Sequence, residues 1–269
     1  MPVISKEDQV QIAQHLIEHL AGRVGIDVWT RPESAIVLTD RDSCIHCDSV
    51  VSMARELVSL SALLSVTRYD LDKHAERAAT EGIERAPTTV LRSQGARLHF
   101  VGYFTGLLFP VFVDSLILVG AGASPLQEES RAALAAVTMP VTVEVMAAPY
   151  DPLSAYMIRL ASALAVENHA IRFVATEMSE FPILAVQRSL TEVPTVVING
   201  RRFTGIFSEG ELVEQVRRII AGNPEPVIRE RTASSPYLTN DQAHAMAAEG
   251  APHPSAPPPP PSGLFIPGR

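Results

Sequence analysis

The strongest constraint on this chain is a repeat with a period near 105 residues. Cys44 and Ala148 are 104 positions apart, Pro87 and Pro194 are 107 apart, and Gly95 and Gly200 are 105 apart. Around each pair the same signals recur in the same order: strand, short junction motif, amphipathic helix, strand, helix, an X-Pro-Thr step and a hairpin turn. Alternating strands and helices place both copies in the α/β class. At 269 residues the chain has room for two such units and an extension.

In the first copy, Val10, Ala13, Leu16, Ile17 and Leu20 are expected to share one face of an opening helix. Strands follow near Gly25–Thr30 and Ala35–Thr39. A long helix then runs on from Cys44-Ile45-His46-Cys47, with Val50, Met53, Ala54, Leu57, Leu60 and Leu64 at helical spacing. Next come a strand at Val66–Leu71, a polar helix at Lys73–Glu81, a hairpin turning at Gln94-Gly95, and a helix after Gly106. In the second copy the helices fall near Gln127–Val137, on Leu153 to Leu164, at Glu180–Ser189 and at Ser208–Ala221. The strands fall at Val141–Met146 and Ile171–Ala175, and the hairpin turns at Asn199-Gly200, a pair suited to a two-residue turn. Domain boundaries are therefore set at 1–124 and 125–222.

Proline usage changes near residue 223. The stretch 223–269 holds 11 of the 21 prolines, including the run Pro257–Pro261. Such a run favours extended polyproline II and builds no packed core, so 223–269 is expected to be a disordered tail with a weak helical fragment around Asp241–Glu249.

Composition excludes several classes. With 46% hydrophobic residues the chain is not globally disordered. A net charge of −8 argues against a nucleic-acid partner. No apolar run reaches the roughly 18 residues of a membrane span, and the longest stretch, Leu107–Gly120, contains Pro110 and Asp114. Glu7, Asp8 and Glu18 leave no apolar core for a signal peptide, so the expected compartment is the cytoplasm. There a cysteine pair is usually reduced or catalytic.

The only cysteines, Cys44 and Cys47, form a Cys-x-x-Cys motif at a strand-to-helix junction. Free N–H groups and the partial positive charge of a helix N-terminus stabilise a thiolate. Cys44 is the expected nucleophile and Cys47 the resolving thiol. Two sulfurs cannot staple a scaffold or complete a four-thiolate zinc site. His15 and His19 share a helix face at i, i+4 without a third ligand, so no metal is expected. Asp40, Asp42 and Asp48 flank the motif as surface groups; Trp29, Tyr103, Phe104, Phe109 and Phe112 are expected in the core.

Ser43–Asp48, Arg85–Thr88, Ala148–Pro152 and Val193-Pro194-Thr195 together resemble the two-domain, glutaredoxin-like protein disulfide oxidoreductases, which are tandem thioredoxin folds. The resemblance covers residues 1–222. It implies a dithiol–disulfide oxidoreductase with no cofactor, acting on protein thiols and disulfides and served by an upstream reductase. It further implies that Pro87 is a cis-proline facing Cys44, that Ala86 hydrogen-bonds substrate, and that Val193 and Pro194 are the matching pair. The chain departs from the family at the second motif. Cys-Pro-Tyr-Cys-Pro is replaced by Ala148-Pro149-Tyr150-Asp151-Pro152, so Ala148, Asp151 and Pro194 mark a degenerate, redox-silent site. His46, just before Cys47, is expected in its protonated form to stabilise the Cys44 thiolate and make the couple more oxidising. The alternative is a non-catalytic adaptor in which the dithiol is incidental.

The chain ends in Ser262-Gly263-Leu264-Phe265-Ile266-Pro267-Gly268-Arg269. A stiff spacer followed by the apolar Leu264, Phe265 and Ile266 resembles the cargo-loading peptides of bacterial encapsulin nanocompartments. That implies docking of residues 262–269 on a shell protein, with the enzyme inside the compartment.

Overall fold

The computed structural model describes residues 3–32, 44–228 and 232–248. The first copy runs α1 (Lys6–His19), β1 (Val24–Thr30), α2 (Cys47–Leu60), β2 (Leu64–Asp70), α3 (Ala75–Glu81), β3 (Thr88–Ser93), β4 (Ala96–Val101) and α4 (Leu108–Ala121). The second runs α5 (Glu128–Ala135), β5 (Val141–Ala147), α6 (Pro152–Glu167), β6 (Ile171–Glu177), a 3-10 turn at Met178–Glu180, α7 (Pro182–Gln187), β7 (Glu192–Val193), β8 (Thr195–Ile198), β9 (Arg201–Thr204) and α8 (Glu209–Ile220). Two short elements follow, β10 (Ser235–Pro236) and α9 (Asn240–Ala248). The expected strand Ala35–Thr39 lies outside the described residues, as do Ser43, Asp40, Asp42 and the peptide Leu264, Phe265, Ile266.

The duplication is visible in the strand pairing. β1 is parallel to β2 and antiparallel to β3, which pairs antiparallel with β4. β5 repeats this with β6, β8 and β9. The copies meet where β4 runs parallel to β6, from Leu98↔Phe173 to Val101↔Thr176, giving one eight-stranded sheet in the order β2-β1-β3-β4-β6-β5-β8-β9. In β5 even the polar residues Thr142 and Glu144, which alternate with buried valines, are half-buried, which fits a sheet covered on both faces. Both hairpins turn on two residues of positive φ, Gln94 and Gly95 at 48° and 91°, and Asn199 and Gly200 at 45° and 81°. A tight hairpin needs this mirror-image turn to match strand twist.

One apolar cluster spans the two copies. Phe100 sits at its seam, edge-on to Phe104 at 5.0 Å, Phe112 at 5.1 Å and Phe173 at 5.6 Å. Phe104 and Phe112 are buried, and Phe109 packs partly buried against them.

Two sequence expectations need correction. The inward stripe of α1 is Ile12 and Leu16, continued by Leu20, while Val10 and Ile17 are 70% and 74% exposed. The apolar arc of α1 is wider than its contact with α2 and α4, and packing selects the i, i+4, i+8 line within it. Helix α2 stops at Leu60 because Ser61 turns extended, so Leu64 opens β2 instead of ending the helix. Among the described residues no helix is long and apolar enough to cross a membrane. No group of three or more His, Cys, Asp or Glu side chains among them could hold a metal. His15 and His19 lie edge-on at 4.8 Å, and His15 Nε2 is 3.4 Å from Asp114 Oδ1.

Candidate active site

The first copy carries the chemistry at the start of α2. Cys44 and Cys47 are joined as a disulfide, with their Cα atoms 5.4 Å apart. Cys47 is the first residue of α2 and is buried against Trp29, Leu71, Ala78, Ile83, Ala86 and Val90. Its Sγ accepts a hydrogen bond from the Arg31 backbone N at 3.3 Å. Cys44 is half-buried, and the neighbouring Ile45 is 73% exposed. Cys44 is thus the more open residue of the pair and Cys47 the buried one.

The Ala86-Pro87 bond is cis, and Ala86 is buried in the cluster that holds Cys47 and touches Cys44. Two hydrogen bonds fix this corner: Gly102 N donates to Pro87 O at 2.8 Å, and Thr88 Oγ1 donates to Arg85 O at 2.7 Å. The second copy repeats both. Gly205 N donates to Pro194 O at 2.8 Å, Thr195 Oγ1 donates to Glu192 O at 2.7 Å, and Val193-Pro194 is cis. The X-Pro-Thr step is thus the same device twice, with its threonine hydroxyl closing the turn.

His46 forms the N-cap of α2 without a side-chain cap bond. Its ring centroid lies 5.6 Å from that of Tyr103, and burial lowers its pKa below the usual 6.5. With the disulfide closed, burial thus favours the neutral imidazole of His46. Tyr103 was expected in the core; it is half-buried and forms the wall facing His46. Its backbone N donates to Glu180 Oε1 at 2.7 Å, so an acid from the second copy braces the wall of the first site. Burial pushes Glu180 up to about 8, helped by the charge of Glu177, and burial pushes Glu177 up to about 7. Neither acid is singled out in sequence, where Glu180 only opens the expected helix Glu180–Ser189.

Beneath the dithiol, Trp29 stacks on Tyr69 at 4.8 Å, with the Arg77 guanidinium over the Tyr69 ring at 4.2 Å. Buried Asp27 is paired with Arg92 Nε at 2.6 Å. Asp48 is exposed, 3.8 Å from Arg68.

In the second copy, Ala148 is buried and its N donates to Ser154 Oγ at 3.2 Å. Asp151 caps α6 by accepting from Ser154 N at 2.7 Å, Ser154 Oγ at 2.6 Å and Leu153 N at 3.4 Å. This corner is covered. The segment expected to be a disordered tail from residue 223 returns to the body between 232 and 239. There β10 pairs antiparallel with β7, with Ser235 opposite Val193 and Pro236 opposite Glu192. The expected helical fragment follows as α9.

No protein-family model matches the chain, and no curated protein matches it in sequence. Solved structures do. The protein disulfide oxidoreductase from Aeropyrum pernix K1 superposes with a TM-score of 0.72 at 20% identity, over 84% of this chain and 97% of that one. The alkylhydroperoxide reductase AhpF of Enterococcus faecalis V583, as its C503A mutant, gives 0.69 at 18% identity, over 79% and 99%. The NTD_N/C domain of that reductase gives 0.68 at 17%, over 79% and 99%. At these identities the likeness shows the fold, two thioredoxin-like units that here share one eight-stranded sheet.

Proposed function

We propose that the protein is a thiol–disulfide oxidoreductase acting on protein disulfides through the single Cys44–Cys47 pair. The observation that carries this is a disulfide at a helix N-terminus with Cys44 half-buried and Cys47 buried, beside the Ala86-Pro87 corner. In the reducing direction the Cys44 thiolate attacks one sulfur of a substrate disulfide. A mixed disulfide forms, and the other substrate sulfur leaves as a thiolate that takes up a proton. The Cys47 thiolate then attacks Cys44 Sγ and releases the second substrate thiolate. Two electrons pass to the substrate and the Cys44–Cys47 disulfide remains, to be reduced by a partner dithiol. The oxidising direction is the reverse. In this reading the backbone at Ala86 aligns an extended substrate, and no metal or organic cofactor is needed.

Insulin reduction with dithiothreitol as electron source tests this. Wild type should turn over and Cys44→Ser should not. Equal rates would favour the adaptor, in which the dithiol is incidental. The cytoplasm is the compartment that suits a reducible pair. Residues 262–269 are proposed to dock the enzyme inside an encapsulin shell. A fluorescent protein fused to residues 251–269 should co-purify with the shell protein, and failure to do so removes this part alone.

A further inference from the structure

The second copy has no cysteine, yet its motif corner is built as carefully as the first. Every conspicuous polar group there is turned to one stretch of chain. Tyr150 OH accepts from Leu238 N at 2.6 Å and donates to Pro236 O at 3.1 Å. Asp151 Oδ1 accepts from Ser235 Oγ at 2.8 Å, and Glu192 Oε2 accepts from Ser234 Oγ at 3.0 Å. Tyr237 N donates to Thr191 O at 2.9 Å, and its hydroxyl donates to Met178 O at 3.0 Å. The Tyr237 ring packs on the satellite cluster of Met178, Phe181, Leu190 and Val193. Backbone pairing, a partly buried aromatic anchor and side-chain bonds from Ser234, Ser235 and Tyr237 are the components of strand-addition peptide recognition.

We propose that the second copy is a peptide-binding site for extended segments of the type Ser-Ser-Pro-Tyr-Leu, filled in cis by the chain's own residues 234–238. The site comprises the Val193 edge beside Pro194, the Tyr150 hydroxyl, the Asp151 carboxylate and the apolar seat of Tyr237. It is a binding function of the redox-silent copy and does not depend on the chemistry proposed for the first. The proline fits because the antiparallel bridge at Pro236 lies on a two-residue edge pair, where a missing N–H is tolerated. A tethered ligand competes at an effective concentration in the millimolar range, so the resident segment excludes a free peptide of micromolar affinity.

The test uses full-length protein and a fluorescent synthetic peptide of residues 232–239. Tyr237→Ala withdraws the anchor of the resident segment and should bind the peptide at least tenfold tighter than wild type. Tyr150→Phe added to that variant should remove the gain, because both hydroxyl bonds are lost while the ring remains. A Tyr237→Ala protein that is folded by circular dichroism and binds no better than wild type overturns the proposal. Hydrogen exchange on wild type needs no substitution and decides the case if that variant does not fold. The amides of Tyr237 and Leu238 should be protected, and exchange at free-peptide rates would overturn the proposal.

Discussion

Raising the pH should loosen the seam between the two copies. Glu180 and Glu177 sit where β6 and its following turn meet the loop at Gly102 and Tyr103, and their carboxyls are held up at about 8 and about 7. In the unfolded chain both ionise near the ordinary carboxylate value, so above that value the folded state holds protons the unfolded state has lost. Their stabilisation is complete below the unfolded pKa and disappears as pH rises through the folded values. Buried His99 acts oppositely. Its pKa is lowered to about 3, mainly by burial, so its contribution grows with pH only until the ordinary value of 6.5 is passed. The window from pH 6.5 to 8.5 therefore isolates the carboxyls. At 1.36 kcal/mol per pKa unit, Glu180 loses about 2 kcal/mol across it and Glu177 about 0.7 kcal/mol, upper limits because Glu180 is partly open to water, which screens its charge. Urea unfolding of the oxidised protein at stepped pH should show a fall of up to about 3 kcal/mol, with most of it removed in Glu180→Gln. Stability that is flat or rising over this window, or an unchanged slope in Glu180→Gln, would refute the assignment.

Alkylation of the reduced protein at pH 6 should label Cys44 before Cys47, because Cys47 is shielded; mass spectrometry showing the opposite order would reverse their roles. His46→Ala should lower the reduction potential by tens of millivolts in a glutathione titration, since the imidazole that is neutral beside the disulfide can take up a proton beside a thiolate, and roughly 30 mV corresponds to 1.4 kcal/mol. An unchanged potential removes His46 from the chemistry. Phe100→Ala should cost about 3–5 kcal/mol and shift one common unfolding transition, because Phe100 contacts Phe112 of its own copy and Phe173 of the other. Separate transitions for the two copies would contradict the shared core.

The fold was largely legible because its signals are local and occur twice. The Cys-x-x-Cys junction, the X-Pro-Thr steps and the Gln94-Gly95 and Asn199-Gly200 turns each specify a backbone event without help from distant residues, and their common spacing gives the order of elements. What joins the copies was not legible. The β4–β6 pairing and the Phe100–Phe173 contact link segments more than 70 positions apart, and nothing in Leu98–Val101 marks it as an interior strand rather than an edge. The inward face of α1 was misplaced for a related reason. Val10 and Ile17 are as apolar as Ile12, and only the neighbouring helices decide which line is buried. Glu180 beside Tyr103 is the same kind of case at the site, a contact across 77 positions made by a residue type that usually faces water.

The second motif shows most clearly where spacing alone stops. Placed on the repeat, Ala148 and Asp151 read as two lost sulfurs, and a lost site predicts only absence. A position freed from redox chemistry need not keep any buried polar group, yet Asp151 is buried with four hydrogen-bond donors around it. Three of these come from the start of α6, which any good N-cap would satisfy. The fourth comes from Ser235, more than eighty residues on, in a stretch whose prolines suggested no packing. A buried carboxylate is tolerated only when its acceptor positions are filled, so Asp151 and the 234–238 segment account for one another. On the proposed peptide-binding reading, the aspartate that stands where the repeat places a cysteine is one of the groups that hold the returning chain.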